Sequence, residues 1–327
     1  MELREAIKGY LLDGQVRGLT PRTLEWYRQK LQHFATVLEQ EESVVLLKKI
    51  TPVHLRAFVL HMQQTKANEN NPVKPTEENR MVSPLTVKGY VQVIKGFFTW
   101  CVEEELLSSN PTQRIKLPKV PDYLIVTFAP EQIQAMLASC NLRTRLGFRD
   151  YTLMLLLLDT GIRVSELCSL TIEQVHEDYI KVLGKGRKER EVGIHPGVGK
   201  LLWKYLAQHR RPASPDIREV FLNVCGQPLL PNGVEQLLER IKEQAGIKGV
   251  RVSAHTFRHT FARMFLEQGG DVYKLSRLMG HTDVKTTEKY LKEFTSREAR
   301  KQQAQFSPLE SLDLLGKRRP KRLRPSG

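Results

Sequence analysis

Residues 253–290, SAHTFRHTFARMFLEQGGDVYKLSRLMGHTDVKTTEKY, place His255, Arg258, His281 and Tyr290 on short helical stretches broken by glycine. Tyr290 is the chemical centre. A phenol is a weak nucleophile while it holds its proton, and with a pKa of about 10 roughly one in a thousand is ionised near neutral pH. Removing the proton therefore costs roughly 4 kcal/mol, which cations and a base can supply in a site shielded from water. His255 and Arg258 stand three apart in a helix opened by Ser253 and closed by Gly269-Gly270, so they project from one face. His281 precedes Tyr290 by nine residues, opposite faces of an unbroken helix. Gly280 interrupts, and Thr282 or Asp283 can cap a new helix, which leaves His281 on a turn and Tyr290 about two turns further in.

Two further stretches complete the pattern: DTGIRVSELCSL (159–170) and VLGKGRKEREV (182–192). With the HxxR pair, the GH turn and the tyrosine, they resemble the tyrosine recombinases of the phage-integrase family in order and spacing, from about residue 127 to 292. The resemblance implies that Tyr290 attacks a DNA phosphorus to form a 3′-phosphotyrosine ester. Arg163 and Arg258 would grip the non-bridging oxygens, which a planar guanidinium fork suits better than lysine. His255 would be the base or proton carrier for the tyrosine, and His281 would donate a hydrogen bond to the phosphate. Lys185 would protonate the leaving 5′ oxygen, an assignment carried by the motif alone because Arg187 and Lys188 stand beside it. Blander readings of the same residues are a core tyrosine, a capping His255, and an Arg163 paired with Glu166 at i+3.

No cofactor or metal is expected. His255 and His259 have zincin spacing, but Thr256 stands where a glutamate is needed and Arg258 would set a cation beside the ion. GKGRK at 184–188 has Tyr179 where a P-loop needs its first glycine. The chain of 327 residues carries a formal charge of +15, with basic residues throughout, which favours nucleic acid as partner. The four cysteines show no CxxC pair and read as reduced thiols. The acidic N-terminus has no signal core, and LMLLLL (153–158) is too short to span a bilayer, so a cytoplasmic, nucleoid-associated protein without membrane contact is expected.

Positioning these groups takes two domains. Helices are predicted over 2–16, from Thr20-Pro21 to about Gln40, from Thr51-Pro52 to about Gln64, and from Ser83-Pro84 to about Leu107, with residues 65–83 as an exposed polar loop. They form an all-α domain over 1–109, by resemblance the core-binding domain that closes over one face of duplex DNA. Residues 110–126 are a proline-rich basic linker, either touching phosphates or simply solvated. The catalytic domain spans 127–300. Its predicted helices cover about 130–139, 147–159, 164–170, 197–210, 231–245, 253–268, 271–279 and 283–294, and its predicted strands 179–183 and 190–194. A polar helix over about 295–305 and a basic tail over 301–327 follow, the tail a DNA anchor or a solubilising appendage. In relatives the segment past the tyrosine docks on a neighbouring subunit, and Leu309, Leu312, Leu314 and Leu315 could supply that contact.

The fold class is mainly α with a small antiparallel sheet. The expected activity is site-specific recombination of double-stranded DNA by a homotetramer on its recombination sites, monomeric or weakly associated when free. The 65–83 loop and the tail depart from compact Xer-type members and favour a mobile element. Two other readings stay open: a type IB topoisomerase, and a DNA-binding protein of this fold without chemistry.

Overall fold

The computed structural model describes residues 1–67, 81–121, 125–184, 189–281, 283–288 and 290–291, with residue 285 as backbone only. The chain divides into two compact units, Met1–Tyr123 and Leu124–Gly327. The architecture is mainly helical, with one two-stranded antiparallel sheet among the described residues.

The first unit packs α1 (Leu3–Val16), α2 (Pro21–Glu41), α3 (Pro52–Gln64) and α4 (Pro84–Glu103) around a core that includes Leu31, Phe34, Phe97 and Phe98. Two starts follow the predicted chemistry: Thr20 and Ser83 accept the backbone N–H of Thr23 and Thr86 at 3.3 and 3.1 Å, each with proline at the first helical position. α4 stops short of the predicted Leu107 because Glu105 turns left-handed at φ 55°, and the N–H groups of Leu106 and Leu107 both return to the Cys101 carbonyl. Residues 110–115 pack on this unit instead of running free as linker: Lys95 donates to the carbonyls of Thr112 and Ile115 at 3.1 and 2.8 Å, and Ile115 is buried in the core. The polar insert is closed at its base, where Lys66 pairs with Met81 and the Val82 N–H reaches the Thr65 carbonyl. Residues 68–80 of the insert lie outside the described residues.

The second unit holds α5 (Pro130–Ala138), α6 (Arg145–Thr160), α7 (Val164–Cys168), the hairpin β1 (Tyr179–Leu183) and β2 (Glu189–Gly193), then α8 (Pro196–Lys204), α9 (Pro231–Gln244), α10 (Ala254–Glu267), α11 (Val272–Met279) and α12 (Lys285–Glu288). α6 is the central helix, its Leu153, Met154, Leu156 and Leu157 fully buried. The helix predicted over 197–210 is instead α8 followed by a wider π turn over Tyr205–His209, where the Arg210 N–H reaches back five residues to Tyr205. β2 begins one residue earlier than predicted. Arg190 stands opposite Val182 in the hairpin register, on the face that buries Ile180, Val182 and Val192. Of the helix predicted over 283–294 only the single turn α12 is helical among the described residues, so Tyr290 lies on a turn past it and not two turns into a helix, and the polar helix and tail past residue 291 lie outside the described residues.

Candidate active site

Two glycine turns build the site. α6 ends at Gly161 (φ 58°) and α11 at Gly280 (φ 63°), both left-handed C-caps that a side chain would strain. Such ends leave carbonyl oxygens without helical partners and carry the negative end of the helix dipole. Arginines fill that need. Arg258 of α10 donates to the Gly161 carbonyl at 2.6 Å and the Met279 carbonyl at 2.7 Å. Arg163, the N-cap of α7, donates to the Gly280 carbonyl at 2.9 Å, and Arg190 of β2 to the Leu278 carbonyl at 2.8 Å.

One carboxylate ties Arg163 and Arg190 together. Glu166 accepts from Arg163 at 2.8 Å, from both ends of the Arg190 fork at 2.9 Å, and from the Arg163 backbone N–H at 2.8 Å, a capping box at the start of α7. Burial alone would raise the Glu166 carboxyl; Arg190 first, then the Arg163 backbone N–H, outweigh it and hold the group below the usual carboxylate range. Three guanidiniums against one carboxylate leave the cluster with a net positive charge. Arg163 is the more open of the two predicted phosphate ligands, with 36% of its side chain exposed.

His281 follows Gly280 and joins the cluster directly. Arg258 donates to its Nε2 at 2.9 Å, so Nδ1 carries the proton and donates to the buried Thr287 hydroxyl at 2.7 Å, a tautomer assigned from the hydrogen-bond pattern. Tyr290 packs in a small cluster with Ala262, Leu266, Leu275 and Met279 between α10 and α11, and is 4% exposed. Its hydroxyl lies 2.6 Å from Nδ1 of His259. His255, one turn earlier on α10, sets its ring edge-on to His259 with centroids 4.1 Å apart.

Burial pushes the Tyr290 phenol up to about 12 against the charge of Arg258, which pulls it down. Burial, then the charge of Arg163, lowers Arg258 to about 10, still cationic at neutral pH. Arg163, Arg258 and His281 thus meet at one turn, and Tyr290 lies within electrostatic reach of Arg258. Lys185 lies outside the described residues. Among the described residues no three His, Cys, Asp or Glu side chains gather as a metal site would require, and no helix is long and apolar enough to cross a membrane.

Two residues outside the expected set join these contacts, Arg190 through Glu166 and His259 through the Tyr290 hydroxyl. Arg190 had a visible signal: in alternation with Val192 and Ile194 it occupies an inward position, where a charge needs a buried partner. In the sequence His259 figures only as half of the zincin-spaced pair with His255. Its i+4 relation to His255 places both on one face, but which of them meets Tyr290 depends on how α11 returns the chain.

The sequence pattern of the phage integrase family matches residues 127–297. This chain belongs to that family. The family member is 30% identical over 279 residues to the tyrosine recombinase XerD of Listeria monocytogenes serovar 1/2a, covering 84% of this chain and 89% of that protein. It is 28% identical over 296 residues to the tyrosine recombinase XerC of Chlamydia caviae, covering 84% and 89%. Its fold is similar to the Tn1549 transposon integrase in complex with transposon right end DNA, with a TM-score of 0.74 and 17% identity over 94% of this chain and 100% of that one. It is also similar to the XerH site-specific recombinase bound to difH substrate, with a TM-score of 0.68 and 21% identity over 93% and 83%.

Proposed function

We propose that this integrase-family chain is a site-specific DNA recombinase that cleaves and rejoins strands through a 3′-phosphotyrosine intermediate. The observation that carries the reading is the meeting of Arg163, Arg258 and His281 on the Gly280 turn, with Tyr290 within electrostatic reach. A phosphodiester drawn to that turn finds two guanidiniums already oriented by helix ends, so little reorganisation accompanies the build-up of charge on phosphorus. Tyr290 attacks, the P–O5′ bond breaks, and the 5′ oxygen leaves with the electron pair and a proton, which the resemblance assigns to Lys185. His281 donates to the phosphate from Nε2 once that nitrogen carries a proton and Arg258 turns from it to the phosphate, with Nδ1 then accepting from the Thr287 hydroxyl. The ester keeps the energy of the broken bond, so a second 5′ hydroxyl can displace the tyrosine and exchange strands without ATP.

With the phenol at about 12, ionising it outright at pH 7 costs about 7 kcal/mol, against roughly 4 for a free tyrosine. Transferring the proton to a base during attack avoids that cost. The partner is double-stranded DNA at specific sites in the cytoplasm, bound by a homotetramer. The +15 charge supports such a partner. The polar insert and basic tail favour service to a mobile element, and sequencing the DNA beside the gene for attachment sites or transposon ends tests that part.

A duplex nicked near the cleavage site traps the covalent species. Wild-type protein should form an adduct that survives denaturation, and Tyr290→Phe should bind the duplex equally and form none; an adduct with Tyr290→Phe would remove the nucleophile and the reading with it. Relaxation of plasmid lacking any recombination site would favour a topoisomerase of the same chemistry.

A further inference from the structure

We propose that His259 is the group that takes the Tyr290 proton as the phenolic oxygen attacks, a role the motif alone would give to His255. The inference rests on Tyr290 being the nucleophile. His259 Nδ1 is 2.6 Å from the hydroxyl, and the two rings meet edge to face with centroids 5.4 Å apart. The phenol can donate along that contact when Nδ1 is unprotonated and Nε2 holds the imidazole proton. Because Tyr290 is 4% exposed, bulk water has little access to the hydroxyl. A catalytic base must lie within hydrogen-bond reach of the proton it removes, and His259 does.

The step balances without a further reagent. The Tyr290 O–H bond breaks and its proton passes to Nδ1, the phenolic oxygen bonds to phosphorus, and the P–O5′ bond breaks with its electron pair going to the 5′ oxygen, which takes up the proton assigned above to Lys185 and gives it back in the reverse step. His259 is then an imidazolium, which returns the proton to the phenol when an incoming 5′ hydroxyl displaces it. Among the described residues, His255 sets its ring against His259 and the charge of Arg258 acts on Tyr290, while Arg258 itself feels Arg163, Glu166 and Arg190 and bonds to His281. A bound phosphodiester brings negative charge to this cluster, which favours the imidazolium that the step forms.

The test is single-turnover adduct formation on a nicked duplex carrying the site recovered from the DNA beside the gene. His259→Gln keeps a hydrogen-bonding group without basicity and should slow the adduct about 10²- to 10⁴-fold with duplex affinity retained. The wild-type rate should fall as pH drops and His259 protonates, and the variant should lose that limb. A His259→Gln variant with the wild-type rate and pH profile overturns the proposal. A fluorinated tyrosine at position 290 in the otherwise native chain decides the matter even if the variant misfolds. The acid limb should keep its midpoint, because it belongs to the imidazole; a midpoint that moves down with the phenol's acidity means the proton leaves before attack, and His259 is not its acceptor. Absence of any adduct with native protein would instead count against Tyr290 as nucleophile.

Discussion

Each unit buries a cation, and the two do so by opposite means. Lys30 in the helical unit is 9% exposed, its ammonium 3.8 Å from the centre of the Tyr90 ring and 5.0 Å from that of Trp26. Arg258 in the second unit is 5% exposed and donates to two carbonyls and an imidazole. Ring faces attract a cation without fixing its direction, and burial lowers the lysine's pKa. Helix-end carbonyls fix a guanidinium's plane, and at about 10 it stays charged. The first arrangement suits a packing residue, the second a residue that must present charge to an anion.

The largest effect that sharpens this contrast is on the chemical step. Arg258→Ala should slow adduct formation about 10³-fold, about 4 kcal/mol, because it removes charge stabilisation made chiefly in the transition state. Lys30→Met should leave that rate unchanged. Single-turnover cleavage on the nicked duplex measures both, and equal losses would mean that the two cations are not different in kind.

Next comes the carboxylate that organises the arginines. Arg190→Met leaves buried Glu166 with Arg163 alone, and breaking a buried ion pair on one side should destabilise the second unit by about 3 kcal/mol. Denaturant unfolding of the full chain, followed by amide exchange in α6 and α10, reads it. A loss below about 1 kcal/mol would place Arg190 among ordinary surface pairs.

How these groups were legible differs in the same way. Caps and glycine turns are local chemistry, so Thr20, Ser83, Ser253, Gly161 and Gly280 could be read from neighbouring residues, and most helices with them. The arrival of Arg163, Arg258 and His281 at one turn joins residues more than a hundred positions apart, and only the motif order pointed to it. Arg190 and His259 lie inside the quoted stretches but at positions to which the resemblance gives no role; their contacts arise from what α11 brings beside them. Lys30 is harder still: four positions along α2 from Trp26, it reads as a solvated charge until α4 lays Tyr90 against it. The end of α4 failed for the same reason, since a left-handed glutamate has no strong sequence signal.

A smaller effect is expected on stability in the helical unit. Burial lowers the pKa of Lys30, a cost of holding the ammonium there that the ring faces oppose. Lys30→Met keeps the stem's packing and removes that penalty along with the ring attraction, so stability at neutral pH should rise by up to about 1 kcal/mol. Thermal unfolding checks the sign. A clear loss would show that the rings more than offset desolvation.

The smallest effect is a pH dependence in the same cluster. His33 lies beside Tyr90, its Nδ1 3.0 Å from the Tyr90 hydroxyl, and its pKa is depressed from the ordinary 6.5 by burial first, then by the charges of His61 and Lys30. A histidine that is harder to protonate when folded binds more protons when unfolded, so its contribution is fully present above 6.5 and is lost as pH falls through the lower folded value. Protonation also turns Nδ1 into a donor, which ends any bond it accepts from the Tyr90 hydroxyl. Glu41, 2.7 Å from His61, is the nearby carboxylate, and it faces His61 rather than His33 as far as the hydrogen-bonded pairs go. Amide exchange in α2 and α4 between pH 7 and 5 should therefore report a helical unit that weakens on acidification. Lys30→Met should make the slope shallower, because one of the three causes is gone. An unchanged slope would confine the lysine's influence to the aromatic rings and leave burial and His61 to account for His33.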